Sequence, residues 1–177
     1  MTHFEVSMNQ MNTHLDKARM AERLDTIAKR IGFTLWQLQE LEGAAATYYV
    51  LIAKASPGMG IDPGLEIVDG YRSKPFGTTV KALKSSEKVP SELMVRFQKL
   101  LEERNWLVHN SRSTSSSAVH DEAAFVQLIQ RVDAIENQAL GLLKEIPKQM
   151  EAFLLSHGFS PEVISSAAQQ ARNQVYR

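Results

Sequence analysis

Apolar residues follow one another at steps of three and four along nearly the whole chain, which is the spacing of one helix face. No stretch alternates between apolar and polar residues for long enough to indicate a β-strand. A first amphipathic segment covers about residues 12–31 and stops at Gly32. The pattern therefore predicts an all-α protein with a helix over this segment.

A clear helix start signal follows directly. Thr34 and Gln37, three residues apart, form a capping box, and Phe33 and Leu38 occupy the two positions of a hydrophobic staple. We therefore expect a second helix to begin here and to reach about Ala55.

The second half of that helix, residues 43–53, is apolar on nearly all sides. A helix without a polar face is buried, so we expect this half at the centre of a bundle or in a subunit interface. Tyr48 and Tyr49 lie inside the apolar run, and packing is their expected role, with a hydroxyl presented to a cleft as the alternative.

Proline and glycine are concentrated in residues 56–77, which predicts a long loop. A short helix is expected over about 78–85. Ser91 can then cap a longer helix that reaches about Asn110. The serine-rich tract 111–117 has the composition of a flexible connection.

A run of apolar residues at helical steps through 125–154 predicts the last long helix. Pro147 lies inside the run, and because it lacks an amide hydrogen we expect it to kink or divide the helix. Gly158 is expected to end this helix. Ser160 followed by Pro161 then starts a final short one.

The composition excludes several classes of site. The 177 residues, 44% of them apolar and 23% charged, suit one globular domain. The chain has no cysteine, which excludes disulfides, iron-sulfur clusters and thiol nucleophiles and suits a reducing compartment. Its longest apolar stretch is about half of what a bilayer crossing needs, and the N-terminus lacks a signal pattern. We expect a cytoplasmic protein that does not enter a membrane.

The charge is balanced overall but not along the chain. Formal net charge is zero, whereas residues 71–112 contain nine basic residues against four acidic ones, a net charge of +5. This asymmetry favours an anionic partner near the middle of the chain. A moderately basic pair of solvated helices would give the same pattern, so both interpretations stay open.

The predicted helix over residues 91–110 has an arginine where its apolar pattern requires leucine. Arg104 takes the position that completes a heptad seam formed by Leu93, Phe97, Leu100 and Leu107. Arginine is rarely buried without a partner. It would therefore pair inside the bundle, specify register at a helix interface, or line a wet cleft that binds an anion.

His109 follows five residues later, about 140° away around a helix. Asn105 lies four residues before it, and Arg112 would share their face if the helix continued that far. An imidazole can move protons near neutral pH, and a guanidinium fits phosphate oxygens, so the pair could cleave a phosphodiester without metal. A salt-bridged arginine and a histidine that caps a helix C-terminus would look the same in sequence.

The string RNWLVH from Arg104 to His109 resembles the R-x4-H motif of the HEPN superfamily (higher eukaryotes and prokaryotes nucleotide-binding domain). The residue after the arginine, Asn105, is polar, as that motif prefers. The stretches 76–83 and 100–103, which precede the motif, are similar to the layout of bacterial HEPN proteins.

The resemblance covers about residues 34–155 as an arrangement of helices. It implies an up-and-down bundle, and with the flanking segments we expect four to six helices in a single domain over 1–177. Residues 1–31 are expected to add an N-terminal helix, and 160–177 a C-terminal helix and tail.

The resemblance also implies a function. Many HEPN proteins are metal-independent endoribonucleases that act as toxins, in antiphage defence or in RNA processing, and they dimerise so that two motif helices face one cleft. By resemblance, Arg104 would contact the scissile phosphate, Asn105 would support it, and His109 would act as base or acid. Many toxin-type members have tyrosine two positions after the histidine, where this chain has Ser111. A silent HEPN-like module that binds a nucleotide or a protein therefore remains the alternative.

The expected partners are a second copy of the chain, RNA, and a cognate antitoxin or regulatory protein. Arg96, Lys99 and Arg112 are candidates for RNA binding. Trp106 could stack a base or serve in packing. We expect no cofactor and no metal, because the remaining histidines have no metal-ligand spacing and are expected to be exposed or to cap helices; they are His3, His14, His120 and His157.

Overall fold

A computed structural model describes the backbone of residues 3–56 and 58–175, and the side chains of 13–56, 58–60 and 62–169. This part of the chain forms six helices and no strand, which confirms the all-α class. None of the described helices has the length and apolar character that a bilayer crossing requires. The helices are α1 (His3–Ala53), α2 (Ile61–Arg72), α3 (Phe76–Ser86), α4 (Ser91–Ala118), α5 (Glu122–Ser156) and α6 (Pro161–Val175).

Helix α1 is one helix of 51 residues, so the predicted break at Gly32 is wrong. Thr34 does not cap a helix start but lies fully buried inside α1, and Phe33 is exposed. A glycine inside a helix costs only about 1 kcal/mol relative to alanine. Burial of Ile27 and Leu38 on either side outweighs that cost, because each large apolar side chain contributes about 1.5–3 kcal/mol.

The predicted loop over 56–77 is also wrong, because α2 occupies most of it. Pro63 is the third residue of α2 and lies in its first turn. Backbone amides there have no acceptor within the helix, so the amide hydrogen that proline lacks is not missed by the helix. Gly60 precedes the helix with a φ of 78°, a conformation that glycine adopts without strain. Val68 then gives α2 a buried residue.

The serine-rich tract is helical rather than a flexible connection, because α4 continues through it to Ala118. Its hydroxyls donate to backbone carbonyl oxygens three or four residues earlier: Ser113 to Asn110 at 2.8 Å and Ser115 to Ser111 at 2.7 Å. Such bonds satisfy the hydroxyls inside the helix itself. The buried side chain of Ala118 holds the end of the tract in the protein interior.

The boundaries of α3 and those near residue 158 agree with the sequence, whereas α4 begins at Ser91 itself, which was expected to cap it. Helix α3 covers the predicted short helix, and Gly158, at a φ of 86°, follows the end of α5. The hydroxyl oxygen of Ser160 accepts from the amide of Val163 at 3.5 Å at the start of α6. Helix α5 is continuous through Pro147, so the proline does not divide it.

The residues group into two compact units, and the first contains 1–39 and 99–139. In this unit Arg30 of α1 is paired with Asp133 of α5 and lies 3.6 Å from a carboxylate oxygen of Glu136. The hydrogen bond with Asp133 raises the pKa of Arg30 against the opposing effect of burial. These ion pairs tie α1 to α5 within the unit.

The second unit contains residues 40–98 and 140–177. Tyr48 and Tyr49 are buried in it, which confirms the expected packing role. The rings of Tyr49 and Tyr71 lie 4.7 Å apart between centroids. A hydrogen bond with Tyr71, assisted by burial, raises the pKa of Tyr49 to about 12. The division of the chain into domains stays a prediction.

Candidate nucleic-acid interface on helix α4

The motif residues lie in the interior of α4, many residues from either end of the helix. The apolar seam is confirmed, since all four of its members are almost fully buried: Leu93, Phe97, Leu100 and Leu107. Arg104 is only half-buried. It therefore stands at the border between the seam and the solvent-exposed side of α4.

Asn105, His109 and Arg112 are all exposed. Because α4 is uninterrupted from the motif to Ala118, their spacing of four and three residues places them within an arc of about 60°. Among the described residues, none forms a hydrogen bond with the imidazole of His109, and this residue is exposed. We call these three residues the α4 face.

Arg104 is about 100° from Asn105 and about 140° from His109 around the helix. The guanidinium and the imidazole are therefore not stacked neighbours on one helix. A single α4 therefore does not present both groups on one face.

Charges of both signs lie on and beside the α4 face. Glu102 is exposed and lies two turns before His109, on nearly the same line along the helix. Arg112 is three residues after His109 and about 80° from Glu102 around the helix. One copy of the face is therefore a mixed surface rather than a uniformly basic patch.

Trp106 is held by a residue that the sequence pattern did not indicate. The guanidinium of Arg131, from α5, lies 3.5 Å from the centre of the Trp106 ring, and its Nε donates to Glu103 at 3.0 Å. A cation over an indole is attracted by the negative face of the ring. One face of Trp106 is thus covered by protein. No local signal could have found Arg131, since it is 28 residues from Glu103.

Two other basic candidates lie away from the α4 face. Arg96 is half-buried against Gly141 of α5, where an added Cβ would be 3.1 Å from its Nη2. Lys99 is exposed, but it is about 120° from Asn105 around the helix. The structure therefore brings Asn105, His109 and Arg112 together and leaves these two on other sides of α4.

The described side chains contain no group of three histidine, cysteine, aspartate or glutamate residues that could hold a metal ion. His14, His120 and His157 are exposed, as expected. The side chain of His3 lies outside the described residues.

Comparison with protein-family models, curated proteins and solved structures gave no match. The interpretation of α4 therefore rests on the geometry of its residues and on the R-x4-H resemblance.

Proposed function

We propose that this chain is a cytoplasmic, metal-independent endoribonuclease of HEPN type whose active site is composed by two copies. One observation carries the proposal. The R-x4-H string lies in one continuous helix, with Asn105 and His109 exposed on one face and Arg104 half-buried at the edge of the seam, about 100° from Asn105 around the helix.

The chemistry needs a base, an acid and a positive charge at one phosphate. In the proposed reaction His109 of one copy removes the proton from the ribose 2′-hydroxyl, and the 2′-oxygen forms a bond to phosphorus. The bond to the 5′-oxygen breaks, and that oxygen takes its proton from His109 of the second copy. Arg104 supports the charge that develops on the phosphate oxygens. The products carry a 2′,3′-cyclic phosphate and a 5′-hydroxyl.

A second copy of the chain would bring together the guanidinium and imidazole groups that one helix holds apart. Arg104 and His109 of one chain lie about 140° apart around α4, and each α4 face carries Arg112 and has Glu102 beside it. Two faces related by a twofold axis can pair these opposite charges and bring two imidazoles to one cleft. An antitoxin or regulatory protein would then act by covering the α4 face.

A non-catalytic HEPN-like module that binds a nucleotide or a protein is the second candidate. Ser111, which stands where many toxin-type members have tyrosine, is buried and donates its hydroxyl to the Leu107 carbonyl. The hydroxyl of Ser111 therefore does not reach the α4 face. Arg131 also covers one face of Trp106, which leaves less of the ring for stacking a base.

The two candidates are separated by incubating the purified protein with mixed RNA in excess EDTA. We expect cleavage with 2′,3′-cyclic phosphate ends and no cleavage of DNA. The variant His109→Ala should lose at least about a hundredfold in rate, the lower end of the contribution of a general base. His120→Ala is the matched control, because His120 is exposed in the same unit outside the motif.

Loss of cleavage on chelation would refute the mechanism. A His109→Ala protein that cleaves RNA at the parent rate would remove His109 from the site. If the parent protein does not cleave RNA but binds a nucleotide, and the binding survives His109→Ala, the second candidate replaces the first.

A further inference from the structure

The second unit contains a cavity of about 770 Å³, on residues that the proposed ribonuclease site does not use. It lies among the C-terminal half of α1, helix α2 and the last turns of α5. Most of its wall is apolar, with Val50, Leu51, Val68, Met150 and Phe153 among the lining residues. Its volume falls in the range of about 300–1,000 Å³ that is typical of sites for small molecules.

Glycines form part of the cavity wall and leave it open. Gly58 and Gly60 line it with φ angles of 82° and 78°, in the short connection between α1 and α2. Gly64 of α2 also lines it, and a Cβ built there would meet no atom within 4 Å. No described side chain therefore fills the space beside Gly64.

The ionisable residues among the described lining are Lys88 and His157, and none of the described lining residues is acidic. Lys88 is exposed at the rim of the cavity, and its Nζ donates to the carbonyl oxygen of Ile52 at 2.8 Å, which places the ammonium at the end of α1. An ammonium has three donors, and this bond uses one of them.

His157 adds a second polar group on the α5 side of the cavity. Its Nδ1 lies 2.8 Å from the carbonyl oxygen of Phe153. A carbonyl oxygen only accepts, so Nδ1 carries the hydrogen, and Nε2 of the neutral ring is an acceptor. Only the protonated imidazole offers a second N–H to an anion, so Lys88 is the group of the described wall that is positively charged at neutral pH, and it borders an apolar interior.

We propose that this cavity binds an anionic amphiphile, a molecule with one hydrocarbon chain and a carboxylate head. The chain occupies the apolar interior and the carboxylate pairs with the Lys88 ammonium. A neutral hydrocarbon would make no use of the Lys88 ammonium. A cationic amphiphile would be repelled by it. The site is separate in sequence from Arg104 and His109, and the inference does not depend on the proposed nuclease activity.

Isothermal titration calorimetry on the full chain tests the proposal, with dodecanoate below its micelle-forming concentration as the probe. We expect saturable binding of one molecule per chain. Octanoate and decanoate should bind more weakly, by about fourfold per methylene removed, which is the hydrophobic contribution of one buried CH₂. Dodecyltrimethylammonium, with the same chain length and the opposite charge, should bind at least about tenfold more weakly than dodecanoate.

Two pairs of variants locate the binding. Gly64→Phe places a ring at the open wall and should weaken dodecanoate binding at least tenfold, whereas Gly70→Phe should not. Both glycines lie in α2 with open space at a built Cβ, and only Gly64 lines the cavity. Lys88→Gln should remove the preference for dodecanoate over dodecyltrimethylammonium, whereas Lys84→Gln, an exposed lysine outside the lining, should keep it.

Several results would overturn the proposal. These are no heat of binding for dodecanoate, equal binding of both head groups by the parent, or parent-like binding in both Gly64→Phe and Lys88→Gln. A mass in light scattering that falls by half on addition of dodecanoate would show instead that a second copy of the chain fills the cavity. That last outcome would also contradict a dimer formed through the α4 face. The other outcomes do not bear on RNA cleavage, so the two proposals can be tested separately.

Discussion

For Arg104, a catalytic role and a packing role predict opposite effects of substitution. It is half-buried at a seam whose neighbours Leu100 and Leu107 are buried, so a structural ion pair and a phosphate clamp both suit its position. Lysine keeps the positive charge and most of the aliphatic stem of arginine, but it lacks the planar fork with two parallel donors. The substitution therefore distinguishes the two roles.

We expect Arg104→Lys to lower the rate of RNA cleavage by about ten- to a hundredfold, which is a loss of about one to three kcal/mol of transition-state stabilisation. The thermal midpoint should change little, because charge and stem are retained. The measurements are single-turnover cleavage and thermal unfolding by circular dichroism. Arg104→Met is the companion variant, since a purely structural arginine can often be replaced by an apolar residue of similar length without loss of stability.

An Arg104→Lys protein that folds, dimerises and cleaves RNA like the parent would end the assignment of Arg104 to the active site. A large fall in the thermal midpoint with an unchanged rate would assign it to packing.

For single residues, the sequence predicts which side chains share a helix face, because this depends on the helical period. It does not predict contacts between helices, because these depend on which helices pack together. The four seam residues of α4 and the shared face of Asn105 and His109 follow from steps of three and four alone. The stacking of Arg131 on Trp106 does not, because it requires α4 and α5 to lie side by side at one register.

Helix ends are harder to predict than helix faces because local signals are weak. A cap such as the one predicted at Thr34 contributes about 1 kcal/mol, and a glycine such as Gly32 costs about as much. Burial of one large apolar side chain such as Leu38 or Leu41 contributes more than either. Helix α1 therefore continues through residues at which the local pattern predicts a helix boundary.

The serine-rich tract offers a direct test at the scale of one element. We expect Ser113→Pro to lower the free energy of unfolding by about 3 kcal/mol, because proline inside a helix removes a backbone hydrogen bond and clashes with the preceding turn. In a flexible connection the same change would cost almost nothing. The measurement is urea unfolding followed by circular dichroism.

Ser113→Ala is the matched control. It removes the hydroxyl that donates to Asn110 but keeps the helix, and alanine has the highest helix propensity. We expect a stability equal to the parent or a few tenths of a kcal/mol higher. Equal stability of the proline and alanine variants would show that the tract is not helical in solution.

For the whole molecule, charge gives little help in assembly. The net charge is zero, and Glu102 lies beside the α4 face that carries Arg112, so long-range attraction between copies is weak. Association of the proposed dimer on this face would have to come from contact. Val108 lies between Asn105 and Arg104 around the helix and is 44% exposed, which gives the face an apolar residue at its edge.

We expect a dimer in light scattering at tens of micromolar, and Val108→Asp should convert it to a monomer because a buried, unpaired carboxylate opposes association. Val126→Asp is the control. Val126 is a valine of α5 in the same unit with a nearly equal exposure of 42%, and its substitution should leave the dimer intact.

A parent protein that is monomeric at these concentrations would remove the model of a composite active site. Dissociation by Val126→Asp but not by Val108→Asp would move the interface to α5 and leave α4 unpaired.

The Arg131 guanidinium over Trp106 also makes tryptophan fluorescence a useful signal in this chain. The chain has two tryptophans, and the other one, Trp36, is 69% exposed. Replacing Trp36 with phenylalanine would leave a single indole, whose emission depends on the charge that Arg131 holds against its ring. Fluorescence would then report on the contact between α4 and α5 beside the motif, while RNA, a second copy or an inhibitor is titrated in.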